Sequence, residues 1–205
     1  MDQIGSASEQ GAEILFNNLV ESGYCMLDFG DSRPASGTEH HISHFIEMRL
    51  LQQGQKARLH GAKVGVATVR TAQLYDRIKQ LAQSEAATLI GQAVQPTAAA
   101  EEAAIRAAYG DLADELLREQ APFIHMSAAD YSALKEEIVE QWPQIQAIAQ
   151  QVPAAAEITK WLKAVGAPTT PAELGISDDE FELAYNHGHY LRQRFTIRKL
   201  VHLFL

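Results

Sequence analysis

Apolar residues recur along this chain at helical intervals far more often than they alternate. Ile14, Leu15, Leu19 and Val20 fall at the three- and four-residue spacings of one helix face, which predicts a first helix over about Ser8–Met26. "DFGDSRPASG" follows, and its Gly30, Pro34 and Gly37 mark a loop. Ser36 stands three residues before Glu39, a capping-box spacing in which the hydroxyl receives an early backbone N–H and the carboxylate reaches back, so a second helix is expected over Gly37–Gln53, with Gly54 ending it.

The segment "RLHGAKVGVATVRTAQLYDRIKQLAQ" contains "VGVATV", which alone resembles a strand. Its continuation through Leu74, Ile78 and Leu81 at helical intervals favours one long buried helix. Helical patterns follow over Glu101–Gln120 and over Ser127–Gln151, the latter bent or restarted at Pro143, where the ring removes a backbone donor. "AVGAPTTPAELGIS" forms a helix stop, loop and short turn, and Asp178–Leu205 is again helical, with a break near Gly188. No segment alternates with period two between turn signals, no repeat emerges, and the compositional bias is confined to "PTAAAEEAAIRAA". The expected fold is all-α, a helical bundle forming one domain over residues 1–205.

Composition narrows the function. A chain of 205 residues can bury a core without disulfides or a structural metal. A formal charge of -9 repels a phosphate backbone, which sets nucleic-acid binding aside. No apolar run approaches the roughly 18–20 residues that span a bilayer. The single Cys25 and the lack of a charged-then-apolar leader point to a reducing cytoplasm. Cys25 itself is expected to be a small buried apolar residue.

The chemistry concentrates in "SGTEHHISHFIEM", Ser36–Met48. On a helix His40 and His44 share one face, and Glu47 extends that face by another turn. H-x-x-x-H is the spacing of zinc proteases, but the position where they need a glutamate base holds His41. Carboxylate-bridged di-iron bundles need paired Glu-x-x-His segments, whereas His44-x-x-Glu47 runs in the reverse order and has no second copy. Catalytic zinc wants three protein ligands and an open position, so two histidines do not complete a site, and histidines that only satisfy hydrogen bonds are the commoner case. His60, at the start of the next helix in "LHGAKVG", can reach His40 across a helix-loop-helix corner.

These motifs, together with "LKAVGAPTTPAELGIS" and "LRQRFTI", resemble the metal-dependent polyol dehydrogenases that share a fold with dehydroquinate synthase, and within them the sn-glycerol-1-phosphate dehydrogenases. The resemblance covers nearly the whole chain, in order, and is to the carboxy-terminal helical domain of those enzymes. It implies that His40 and His60 are metal ligands, and that His44 lies beside the substrate as the catalytic residue that orients it or relays a proton. It implies a divalent metal, zinc in first place with nickel and iron as alternatives. It also implies a small phosphorylated triose substrate, a role in phospholipid biosynthesis, and reduction of dihydroxyacetone phosphate with NADH or NADPH.

The family's amino-terminal nucleotide-binding domain has no counterpart here, since nothing before Ser36 resembles its Gly-rich phosphate loop or the aspartate that supplies a third ligand. NAD(P) binding is therefore expected only with that missing domain, and the chain alone is expected to be inactive. Asp28, Asp31, Glu39 and Glu47 are the nearby carboxylates that can substitute for the aspartate. Self-association, or a separately encoded nucleotide domain, is expected to cover the exposed interdomain face. Other superfamily members, a glycerol dehydrogenase or a dehydroquinate synthase, and a non-catalytic helical binding module are the alternative readings. The cations Arg192, Arg194, Arg198 and Lys199 are expected to form a solvated helix face, with phosphate binding as the sharper alternative. Arg33 is a weaker phosphate candidate, and Trp142 and Trp161 are expected core anchors.

Overall fold

Two helices at the centre of the computed structural model organise the rest of the chain, α3 (Thr38–Gln52) and α4 (His60–Gln80). The structure describes residues 2–204, which are 78% helical and contain no strand. "VGVATV" lies wholly within α4, as its continuing periodicity required.

Before this pair come α1 (Asp2–Gly5) and α2 (Glu9–Phe29). Ser8 caps α2, its hydroxyl accepting from the Gly11 N–H at 3.1 Å, and Gly30 stops it in a left-handed conformation at φ 72°. A 3₁₀ turn at Arg33–Ala35 then leads into α3. The expected capping box forms only in part. Gly37 rather than Ser36 is the capping residue, and Glu39 Oε1 accepts from the Gly37 N–H at 2.9 Å.

After α4 the chain continues through α5 (Gln83–Gln92), α6 (Ala98–Tyr109), α7 (Ala113–Ile124), α8 (Ala128–Glu140), α9 (Trp142–Gln151) and α10 (Ala155–Ala164). It closes with α11 (Asp178–His187), a 3₁₀ turn at Gly188–Leu191 and α12 (Ile197–Phe204). The single helix expected over Glu101–Gln120 is two, because Gly110 adopts φ 56° between α6 and α7. Pro143 occupies the first turn of α9, where its missing N–H costs nothing, so the Ser127–Gln151 pattern restarts there. The terminal segment breaks more widely than one kink at Gly188, with residues 192–196 outside any helix.

One core runs through these helices, built on Ile42, Phe45, Ile46, Val66, Ile78, Ile105, Tyr109 and Trp142. Trp142 is fully buried and donates its indole N–H to Leu81 O at 3.2 Å, while the Gln146 amide donates to the carbonyls of Ile78 and Leu81 at 3.1 and 2.7 Å. The carboxy-terminal end of α4 is thus capped by α9 side chains instead of water. Asp76 accepts from the Ala155 N–H at 3.0 Å and takes over the cap of α10 that Ala154 has no side chain to supply. Trp161 is only half-buried, against a smaller cluster of Ala72, Ala155 and Ile158.

Three expectations about side chains are overturned. Cys25 is exposed, because α2 buries little along its length. Arg198 and Lys199 are buried, at 8% and 2% exposure, because α12 turns these residues into the interior against α7 and α11. Arg198 Nε donates to Tyr185 O at 3.1 Å, and Lys199 Nζ donates to Gln120 Oε1 at 2.9 Å while lying 4.0 Å from the Phe123 ring centre.

Candidate metal centre

The corner between α3 and α4 brings three imidazoles together. His40 and His44 lie one turn apart on α3, and His60 is the first residue of α4. Ring centroids are 5.3 Å apart for His40 and His60, 5.2 Å for His44 and His60, and 6.2 Å for His40 and His44. The histidine between them in sequence, His41, is 1% exposed, and its ring nitrogens have no hydrogen-bond partner. Burial, with the nearby Arg194 charge adding to it, pushes the His41 imidazole down to about 4. It is a neutral core residue.

Each of the three clustered rings has its Nδ1 turned to a polar group on α3. His40 Nδ1 is 3.0 Å from Glu39 Oε1, His60 Nδ1 is 3.5 Å from Ser43 Oγ, and His44 Nδ1 is 3.6 Å from Glu47 Oε2. An ionised carboxylate can only accept, so the Glu39 contact places the proton of neutral His40 on Nδ1 and leaves the lone pair on Nε2. Burial holds His44 below the usual histidine range; the neighbouring His60 lowers it further and Glu47 works against both. A neutral imidazole keeps the lone pair that a metal or a proton needs.

Of the four carboxylates considered as a further ligand, Glu47 is the one the structure gathers with two histidines. Ligand atoms of His44, Glu47 and His60 all lie within 4.8 Å of one another. Glu39 is committed to Gly37 and His40, and Asp31 pairs with Arg194 at 2.9 Å and Arg33 at 3.2 Å. Imidazole nitrogens and a carboxylate oxygen are donor types that a divalent metal takes. One feature had no signal in the sequence: Lys63, completely buried, sets its Nζ 3.5 Å from Glu47 Oε2 with no hydrogen-bond partner. Its Nζ competes with a cation for that carboxylate oxygen.

Beside the histidines opens a cavity of about 640 Å³, lined by His40, His44 and Glu47 on one side and by Met26, Leu191 and Arg192 on others. His44 and His60 are exposed, so the corner faces solvent. Of the remaining phosphate candidates, Arg33 lies outside this cavity and forms an exposed pair with Asp31, while Arg194 is tied to Asp31, Ser32 and Ser36.

The chain is similar over nearly its whole length to NAD(P)+-dependent glycerol-1-phosphate dehydrogenases. It is 30% identical over 200 residues to that of Bacillus subtilis strain 168, covering 98% of this chain and 38% of the relative. With that of Bacillus velezensis it shares 34% over 193 residues, 94% of this chain and 36% of the relative, and with that of Korarchaeum cryptofilum 35% over 195 residues, 95% and 38%. The chain therefore spans no more than about two fifths of the length of the curated relatives it matches, and corresponds to the carboxy-terminal part that its motifs indicated. No family model and no solved structure matches it. No helix among the described residues is long and apolar enough to cross a membrane.

Proposed function

We propose that this homologue of the glycerol-1-phosphate dehydrogenases is the metal- and substrate-binding half of such an enzyme, interconverting dihydroxyacetone phosphate and sn-glycerol 1-phosphate. The observation that carries this reading is the convergence of His40, His44 and His60, with each Nδ1 facing a polar group of α3.

In this reading His40 and His60 contribute two ligands, through Nε2, to a divalent metal, zinc first, and the nucleotide-binding domain contributes the third. When bound there, such an ion supplies Lewis-acid polarisation of the substrate oxygen. Glu39 fixes the His40 ring from its far side, so that the ligand does not have to be ordered at the moment of binding. His44 stands beside both and takes the proton of the substrate hydroxyl at Nε2 during oxidation, returning it during reduction. Its depressed basicity keeps it neutral, and thus able to accept, at pH 7. Glu47 steadies His44 at Nδ1. The dinucleotide is held by a nucleotide-binding domain outside residues 1–205, on the same polypeptide or a separate one, because a pyrophosphate needs a Gly-rich turn at a helix amino terminus and none borders this cavity.

The test is complementation. The zinc-loaded chain should show no NAD(P)H oxidation with dihydroxyacetone phosphate alone, and should gain it when the amino-terminal part of a relative is supplied. His60→Ala should remove that gain. A folded chain that binds no divalent metal would end this reading.

A further inference from the structure

We infer that Arg192 is the residue by which this cavity recognises the phosphate of its substrate. The inference rests on the dehydrogenase reading above and goes beyond it by assigning the group that separates a phosphorylated polyol from a free one.

Four cations crowd the end of the chain, and the structure sorts them by what already occupies their donors. Arg194 Nη1 donates to Ser36 O at 2.9 Å, and its Nη2 donates to Asp31 Oδ1 at 2.9 Å and Ser32 Oγ at 3.0 Å. Arg198 donates to Tyr185 O and, at 2.9 Å, to Asn186 Oδ1, with its guanidinium 5.0 Å from the Tyr185 ring centre. Lys199 is held by Gln120. These three cations serve the fold. Arg192 differs: the contact recorded for its guanidinium is a long 3.3 Å bond from Nη1 to the adjacent Leu191 carbonyl, and its side chain is exposed. Most of its planar donor fork is left for an anion.

Position makes that fork useful. Arg192 is the cation lining the cavity that His40 and His44 also line. At the histidine end stands Glu47, which repels a phosphate, whereas the guanidinium matches phosphate oxygens two at a time. The remaining lining is mixed, with Met26, Ala35, Met48 and Leu191 beside Ser32, Ser36 and His41, and none of it carries a full charge that competes with Arg192 for the phosphate. A short polyol phosphate therefore has one favourable orientation, with its carbinol towards the imidazoles and its phosphate towards Arg192. The backbone that carries Arg192 is anchored, since the preceding Leu191 and Tyr190 are buried and the Tyr190 carbonyl accepts from Gln120 Nε2 at 2.8 Å. The arginine projects from a fixed base, which lowers the ordering cost of binding.

The experiment is calorimetric titration of the zinc-loaded 205-residue chain with sn-glycerol 1-phosphate and, separately, with glycerol. Arg192→Ala should weaken glycerol 1-phosphate binding about 10- to 100-fold, the range for losing hydrogen bonds to a charged group, and leave glycerol binding unchanged. Arg192→Lys should recover part of the loss, and inorganic phosphate should compete in the wild type but not in Arg192→Ala. Equal affinity of wild type and Arg192→Ala for glycerol 1-phosphate overturns the inference and leaves the dehydrogenase reading standing. A wild-type chain that binds zinc but neither polyol overturns both.

Discussion

Gly188 lies against the backbone of His41. A β-carbon at residue 188 would stand 3.2 Å from the carbonyl carbon and oxygen of His41 and 3.1 Å from the Ile42 nitrogen. The glycine has φ -55°, an angle open to any residue, so space and not conformation selects it. Through this approach the Gly188–Leu191 turn packs against the helix that displays His40 and His44, and Arg192 directly follows that turn. Gly188→Ala should therefore push the turn off α3, with a loss of about 1–3 kcal/mol, the usual cost of overpacking. Thermal unfolding should show a midpoint several degrees lower. An unchanged midpoint would mean that the turn moves away from α3 freely.

In the proposed site the Glu39 carboxylate acts on a bound metal only through His40, whose Nδ1 it meets at 3.0 Å. Glu39→Gln keeps the size of the side chain but weakens its hold on the Nδ1 proton, and outer carboxylates of this kind are worth about 10- to 100-fold in metal affinity. Cobalt titration followed by visible absorption should show that loss for Glu39→Gln and a larger one for His40→Ala or His60→Ala, with the helical circular dichroism of each variant intact. Wild-type affinity in Glu39→Gln would reduce its contact with His40 to helix capping alone.

The helices that hold the site were legible in the sequence because their information is local. The period of α4 continues through "VGVATV", and the i, i+4 spacing of His40 and His44 fixes their shared face whatever surrounds them. Contacts across the fold had no such signature. Arg198 and Lys199 look like a solvated helix end until α7, folded from residues far away in sequence, and α11, which folds back across the turn before α12, cover them and supply Gln120, Phe123, Tyr185 and Asn186 as partners. Glu47 could not be chosen over Glu39 from spacing either. The choice depends on the angle between α3 and α4, which brings His60 towards Glu47, and on Gly37 and His40 engaging Glu39.

The buried Lys199 ammonium should leave a mark on the pH dependence of stability. Burial pushes its pKa down from 10.5 to about 8, against a smaller opposing pull from Glu101. Between those two values the unfolded chain binds more protons than the folded one, so stability from this group rises with pH, by at most about 1.4 kcal/mol per unit. Below pH 8 the amine is charged in both states and contributes no slope. Urea denaturation of wild type and Lys199→Met from pH 7.5 to 10 should show the wild type gaining on the variant across that range. A constant difference would show that Lys199 stays protonated in the fold.

The apolar side of α2 should govern association. Leu15, Phe16, Leu19, Leu27 and Phe29 are between 48% and 75% exposed, and Gly11 is the residue of the helix that is buried. Ala12, Leu15, Leu19, Gly23 and Met26 recur at three- and four-residue steps, with Phe16 and Leu27 widening the stripe, while Glu13, Asn17 and Glu21 occupy the other side. Most helical stability in proteins comes from a packed amphipathic face, so α2 gains from any surface that covers its stripe. Met26 also lines the cavity beside the histidines, which puts the stripe next to the proposed site. The 205-residue chain by itself should therefore associate with a second copy as concentration rises. Leu19→Glu combined with Leu27→Glu should return it to a monomer in light scattering, and should leave the main thermal transition in place because neither side chain belongs to the core. A wild-type chain that stays monomeric at high concentration would show that α2 needs no partner.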